Sequence, residues 1–177
     1  MRIGLAIAAV YVAAIVTANI VTATQTPWSF DALGQHWVVT WGTWFIAATF
    51  VLRDLVQLRL GRAAAYAAVG AALLANVAVS FAYDDLLWVT VASALSFALA
   101  ETLDTEVFTR LHGSVGRRVA VSGVLGGTLD SILFAVVGLS PLTTGIVSWE
   151  FLWTVVVAQV VVKAAVSAAV GLAWRDR

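Results

Sequence analysis

The sequence predicts an all-α integral membrane protein in which six transmembrane helices form one bundle, a single membrane domain over residues 1–177. Of its 177 residues, 62% are hydrophobic and only 11% are charged, whereas a soluble domain is about half apolar and about a quarter charged. The apolar residues fall into six runs of the length that crosses a hydrocarbon core, about 20 residues of helix. The expected spans are about 3–23, 42–60, 63–82, 86–111, 117–139 and 149–174.

The charges at the ends of these spans orient the helices. Arginines occur at one set of ends only, and the opposite set has acids alone, so the positive-inside rule places both termini in the cytoplasm. The first apolar run is longer than the core of a secretory signal, roughly 7–15 residues, so we expect this helix to be retained. The arginines are Arg2, Arg59, Arg62, Arg110, Arg117, Arg118, Arg175 and Arg177, and the opposite acids are Asp31, Asp84, Asp85 and Glu150.

Composition also excludes several classes of function. The net charge is zero, which gives no basic footprint for nucleic acid. There is no cysteine, so disulfides, thiolate catalysis and cysteine metal sites are excluded. His36 and His112 fall in opposite loops, and neither a metalloprotease, a serine-hydrolase nor a phosphate-loop motif is present. We therefore predict no enzyme, no metal and no cofactor, and no ATPase within the chain itself.

Six ionisable residues interrupt the apolar spans. Such side chains are costly at bilayer depth and normally face the interior of a helix bundle or a watery cavity. Residues three or four apart share one side of a helix, so the last three spans each have one polar stripe, and we expect the stripes to converge on one chamber. The ionisable residues are Arg53, Asp54, Glu101, Asp104, Asp130 and Lys163; the stripes are Ser93, Phe97, Glu101, Asp104 and Phe108, then Gly123, Gly127, Asp130, Phe134 and Gly138, then Gln159, Lys163, Ser167 and Gly171.

The other markers have two interpretations each. Asn19 either bonds a neighbouring helix or contacts a ligand, and Gly123 with Gly127 forms a GxxxG pair that allows close helix packing. Glu106, off the polar stripe, is expected to reach the interface or to pair with Arg110. The tryptophans near the outer span ends form an interfacial belt, or four aromatic residues before the second span form part of a lid over an outward-facing cavity. These aromatic residues are Trp28, Phe30, Trp37 and Trp41.

The buried charges do not balance. Two cations face four acids, so full ionisation would leave two uncompensated negative charges. Buried charges either find partners or change protonation. Three explanations stay open: the site binds a cation or a donor-rich ligand, it holds protons on one or two carboxyl groups, or the residues are only ion pairs that fix helix packing.

Four motifs resemble one family. FVLRDLVQLRLGRAAA, ETLDTEVFTRL, TLDSILFAVVG and the lysine of AQVVVKAAVSAAV occur in the order and spacing of the queuosine precursor transporter family, also known as a vitamin uptake family. The resemblance implies import of 7-cyano-7-deazaguanine or a related 7-deazapurine across a prokaryotic cytoplasmic membrane. Matched motif by motif, it assigns the family's functional residues to Asp54, Asp104, Asp130 and Lys163.

The residue chemistry is compatible with such a ligand. A carboxylate accepts the adjacent N–H and NH2 groups of a guanine-like edge in a charge-assisted contact. Lysine, arginine and amide groups can donate to its carbonyl and ring nitrogen, and a phenylalanine ring can cover its flat face. The predicted substrate-binding residues are Asp104, Glu101, Asp130, Lys163, Asp54, Arg53, Asn19, Gln159 and Phe134.

Other functions remain open at this stage. The principal alternative is the substrate-binding subunit of an energy-coupling-factor-type vitamin importer, which would need a separate ATPase. A membrane assembly protein that uses the acids as pairing groups, and a membrane enzyme, are further alternatives. The oligomeric state is also open, a homo-oligomer included.

Overall fold

The computed structural model describes residues 2–81, 87–143, 145 and 147–174. Asp84, Asp85, Arg175 and Arg177, which helped to orient the predicted helices, lie outside these residues. The outer end of the third predicted span and the start of the fourth also lie outside them.

Six long helices occupy the described part of the chain, at the positions of the six predicted spans. Four are long and apolar enough to cross a membrane: α1, α3, α6, and α5 together with its continuation to Leu139. The other two, α2 and α4, contain four of the six intramembrane charges, and their crossing stays a prediction. The helices are α1 Arg2–Thr24, α2 Gly42–Leu60, α3 Arg62–Ser80, α4 Leu87–Arg110, α5 Val115–Leu133 and α6 Trp149–Ala173.

A β-hairpin connects α1 to α2, so the all-α prediction was wrong for this segment. Strand β1 (Trp28–Ala32) pairs antiparallel with β2 (Gln35–Val39). The two turn residues, Leu33 and Gly34, have φ of 54° and 72°, and positive φ at both positions matches the twist of a tight hairpin. One aromatic contact ties the hairpin to α6, because the ring of Trp37 packs edge-on against Trp153 with 5.6 Å between centroids.

The C-terminal end of α5 changes its winding. Residues Phe134–Leu139 continue the helix in π form. Short π segments are rare, occur mostly within α-helices and are frequently found at functional sites. The predicted span 117–139 is therefore continuous, but its last six residues follow a wider helix than the rest.

Helix α5 packs through its glycines against two neighbours. A Cβ at Gly123 would lie 2.9 Å from Cβ of Ser167, and one at Gly127 would lie 3.0 Å from Cβ of Lys163, so the GxxxG face packs on α6. A Cβ at Gly126 would lie 2.8 Å from Cβ of Asp104 on α4. Backbones that approach this closely bring the polar side chains of α4 and α6 to opposite sides of α5.

Candidate functional site

A cavity of about 300 Å³ lies in one half of the bundle, between residues of five helices. Its wall combines the C-terminal half of α1, the N-terminal halves of α2 and α4, the C-terminal end of α5 with the π segment, and the middle of α6. Pro27 and Thr40, on either side of the hairpin, complete the wall, so the hairpin borders the cavity. The volume is at the small end for ligand pockets and suits a compact molecule.

An ion pair between α5 and α6 lines this cavity. Nζ of Lys163 donates hydrogen bonds to Oδ2 of Asp130 at 2.6 Å and to Oγ of Ser131 at 2.9 Å. Both partners are almost fully buried, with 2% of Lys163 and 6% of Asp130 exposed. Gly127 has no side chain, which lets the lysine stem lie against α5 and reach the aspartate one turn away.

Two amide side chains and two phenylalanines complete the polar and flat surfaces of the cavity. Nδ2 of Asn19 donates to Oδ1 of Asn76, and Oγ of Ser93 donates to Oδ1 of Asn19 at 3.4 Å, so α3 and α4 hold Asn19 in place. Nε2 of Gln159 is buried and has no hydrogen-bond partner among the described residues. Phe97 and Phe134 supply apolar wall. An unused donor beside apolar rings suits a flat ligand with acceptor atoms.

The remaining four charges form a second group, which we call the Arg53 cluster: Arg53, Asp54, Glu101 and Asp104. Nη1 of Arg53 lies 2.8 Å from Oδ1 of Asp54, and Nε donates to Oε2 of Glu101 at 3.2 Å. Nη2 of Arg53 contacts Oδ2 of Asp104. All four side chains are fully buried.

The sequence predicted one chamber for these charges, but in the structure they form two separate groups. Asn19, Asp130, Phe134, Gln159 and Lys163 line the cavity, and no member of the Arg53 cluster does. The three polar stripes converge, as expected, at the residues that line the cavity, among them Phe97, Asp130 and Lys163. Glu101 and Asp104, on the same stripe of α4, instead face α2, because the guanidinium of Arg53 contacts both of them. Contact between the Arg53 cluster and the substrate stays a prediction.

Sequence reasoning missed several polar residues of both groups. Thr22 lines the cavity three residues after Asn19, on the same side of α1, and that step was a usable signal. Ser131, which directly follows Asp130 in the sequence, was also missed. Tyr11, whose hydroxyl faces Glu101, had no signal because its partner is about 90 positions away in the chain.

Glu106 belongs to neither group. Its carboxylate accepts from Arg110 at 3.0 Å and from the hydroxyl of Tyr66 at 2.7 Å, and it also contacts Arg62. The expected pairing with Arg110 is confirmed. These contacts tie α3 to α4 at the arginine-rich end of the bundle.

Membrane-length apolar helices around a cavity that contains an ion pair, with further buried charges between them, are typical of a multi-pass membrane protein with a functional interior. The chain belongs to the family described as "Putative vitamin uptake transporter", whose model matches residues 78–173, more than half of the chain. This confirms the resemblance drawn from the motifs. Neither a curated protein nor a solved structure matches the chain.

Family membership sets the broad function. A transporter family implies a small-molecule substrate and no enzymatic reaction. The matched segment runs from the end of α3 through α6 and includes Asp130, Gln159 and Lys163, together with Glu101 and Asp104. Asn19 and Arg53 lie before it.

Proposed function

We propose that this protein imports a queuosine precursor, 7-cyano-7-deazaguanine or a related 7-deazapurine, through the cavity. The observation that carries the proposal is the Asp130–Lys163 pair in the wall of a cavity of about 300 Å³. The family resemblance supplies the ligand class, and the cavity has the donors, the acceptor and the apolar wall that this ligand needs.

Each edge of a deazaguanine has a partner in the cavity. The Asp130 carboxylate accepts from the adjacent N–H and NH2 groups, a charge-assisted contact stronger than a neutral hydrogen bond. Gln159, whose Nε2 lacks a protein partner, donates to the ligand carbonyl. Phe97 and Phe134 cover the ring faces. Lys163, which donates to Oδ2 of Asp130, orients this carboxylate toward the ligand.

We propose that the cavity opens to the outside of the cell. The arginines of the described residues at span ends lie at the ends of the helices remote from the cavity, which the positive-inside rule assigns to the cytoplasm. Both termini are then cytoplasmic, as the sequence predicts, in the cytoplasmic membrane of a prokaryote. These arginines are Arg2, Arg59, Arg62, Arg110, Arg117 and Arg118.

The proposal is tested by uptake of labelled 7-cyano-7-deazaguanine in cells that cannot synthesise it. Expression of the chain should restore queuosine in tRNA, and Asp130→Asn should abolish rescue while the protein still reaches the membrane. Asp31→Asn is the matched control, because Asp31 is exposed on the hairpin and contacts His36. Failure of the wild-type chain to rescue, or full rescue by Asp130→Asn, would refute the proposal.

A second candidate is the substrate-binding subunit of an energy-coupling-factor-type vitamin importer. The family description, which names vitamin uptake, favours it. The two candidates differ in what they require. Purification of the tagged protein from its native membrane with a stoichiometric ATPase, and uptake that stops when the ATPase is deleted, would select the second candidate. Uptake by liposomes that contain this chain alone would select the first.

A further inference from the structure

We propose that the Arg53 cluster is a proton-binding site, separate from the cavity, in which Glu101 holds the proton. We further propose that this proton enters the cell with the substrate. The second statement rests on the proposed function, whereas the first does not. The ligand of the cluster is thus a hydrogen ion, and the substrate contacts only the cavity.

The surplus negative charge belongs to the Arg53 cluster alone. Lys163 and Asp130 balance each other, whereas Arg53 is the one cation in contact with three carboxylates. With every acid ionised, the cluster would hold two uncompensated negative charges among side chains that are fully buried. Uncompensated charges in such surroundings are neutralised rather than maintained. A proton on one of the acids removes one of the two surplus charges.

The contacts select Glu101 among the three acids. Its contact with Arg53 is the longest of the three, 3.2 Å against 2.8 Å for Asp54 and a still shorter one for Asp104. Oxygens without a hydrogen-bond partner among the described residues occur on all three acids, but Glu101 is the acid beside the buried hydroxyl of Tyr11. A protonated Glu101 has the Tyr11 oxygen as a buried hydrogen-bond acceptor.

Titratable groups face Glu101 from three helices. The titratable groups that face it are Arg53 and Asp54 on α2, Asp104 on α4 and Tyr11 on α1. Helix α5 contributes the hydroxyl of Ser122, which donates to Asp54 at 3.5 Å. The π segment has no titratable residue. The titratable side chains of α3, Arg62 and Tyr66, contact Glu106 instead.

A proton fits this site better than a metal ion. Among the described residues, no group of three or more acids or histidines is arranged to hold a metal. Bound Na⁺ would also need several oxygen ligands around it, whereas here the guanidinium of Arg53 already occupies the centre of the three carboxylates. A proton adds to a carboxylate oxygen without requiring new space.

The same helices connect the proton site to the cavity. Phe97 lines the cavity one turn from Glu101 on α4, and Asp130 lines it one turn from Gly126, which packs against Asp104. Loss of the proton from Glu101 would strengthen its attraction to Arg53 and draw α4 toward α2, and both helices contribute cavity wall. Binding in the cavity and protonation of the cluster are therefore mechanically linked.

Infrared spectroscopy of the purified protein near neutral pH tests the proton directly. Wild-type protein should show the C=O stretch of a protonated carboxyl group, and Glu101→Gln should lose it. Tyr11→Phe should shift the band by removing its acceptor, which keeps the test decisive if Glu101→Gln does not fold. Glu106→Gln, on the same helix and outside the cluster, should retain the band. No band in wild type, or a band lost only in Asp104→Asn, would overturn the proposal.

Transport in liposomes tests the coupling. A gradient that is acidic outside should accelerate entry of 7-cyano-7-deazaguanine several-fold, and substrate addition should acidify the lumen as reported by a trapped dye. Replacement of sodium by choline should change nothing. Glu101→Gln should abolish the response to the gradient, and Glu106→Gln should keep it. Uptake that ignores the gradient would end the coupling claim, whereas absence of any uptake would count against the proposed function and leave the infrared result standing.

Discussion

Lys163 and Asp130 form a buried ion pair at the cavity, with 2.6 Å between Nζ and Oδ2. The lysine comes from α6 and the aspartate from α5, so the pair joins two helices and lines the cavity at the same time. Its structural and functional contributions can therefore be separated only by changing both partners.

We predict strong coupling between Lys163→Met and Asp130→Asn. Each single variant leaves one buried partner uncompensated and should lower the free energy of unfolding by about 3–5 kcal/mol. The double variant leaves no unpaired charge and should lose at least ~1 kcal/mol less than the sum of the singles. Unfolding in detergent measures all four proteins. Additive losses would show that the two side chains do not interact.

Gln159→Met should weaken binding without loss of stability. The amide Nε2 is buried without a protein partner, so its removal breaks no internal hydrogen bond. The ligand would lose one donor, and we expect the Kd for 7-cyano-7-deazaguanine to rise about tenfold, which corresponds to about 1.4 kcal/mol.

Ser167→Ala is the control for Gln159→Met. Ser167 lies two turns further along α6, is also buried with an unpartnered side-chain oxygen, and does not line the cavity. Equilibrium binding to purified protein should give a wild-type Kd for this variant. Equal weakening in both variants would mean that Gln159 acts through the packing of α6 and not through contact.

Gly126→Ala should destabilise the bundle. The new methyl group would lie 2.8 Å from Cβ of Asp104 and 3.2 Å from the backbone oxygen of Ala100, and backbone cannot move aside cheaply. We expect a loss of about 1–3 kcal/mol, as for overpacked cores, seen as a lower Tm in detergent.

Gly70→Ala, on α3, should not destabilise the bundle. A Cβ there has nothing within 4 Å, so the better helix propensity of alanine should leave Tm unchanged or raise it, by up to about 1 kcal/mol of stability. If both glycine variants behave alike, close packing at Gly126 is not what holds α5 against α4.

Cysteine labelling should separate the cavity from the Arg53 cluster. The chain has no native cysteine, so each introduced thiol is unique. Ser93→Cys places a thiol in the cavity wall and should react with a small membrane-impermeant reagent added outside intact cells, whereas Thr105→Cys, next to Asp104 and fully buried, should not. Substrate should protect Ser93→Cys. Labelling of Ser93→Cys from the cytoplasmic side alone would reverse the proposed orientation.

Composition and hydropathy were enough to locate the six helices. Apolar runs of membrane length have few alternatives, because the backbone in lipid must satisfy its hydrogen bonds internally. The motifs were enough for the family. The hairpin was not predicted, although Gly34 between two aromatic-rich stretches was a turn signal, because a surrounding helical pattern gave no reason to expect strands.

The division of the charges into two groups could not be read from the sequence. Helical spacing tells which residues share a side of their own helix, and this correctly grouped Glu101 with Asp104 and Gln159 with Lys163. It does not tell which neighbour that side meets. The long side chain of Arg53 contacts Glu101 and Asp104 on α4, two acids that the stripe alone would have placed in the cavity.

The π winding of Phe134–Leu139 has a geometric consequence for the cavity. A regular α-helix turns about 100° per residue, and the wider turns of a π-helix delay that rotation, so each later side chain points in a direction its α-helical counterpart would not have. Phe134 and Leu139, five positions apart, consequently both border the same hollow. The shape of the cavity thus depends on the winding of the helix as well as on residue identity.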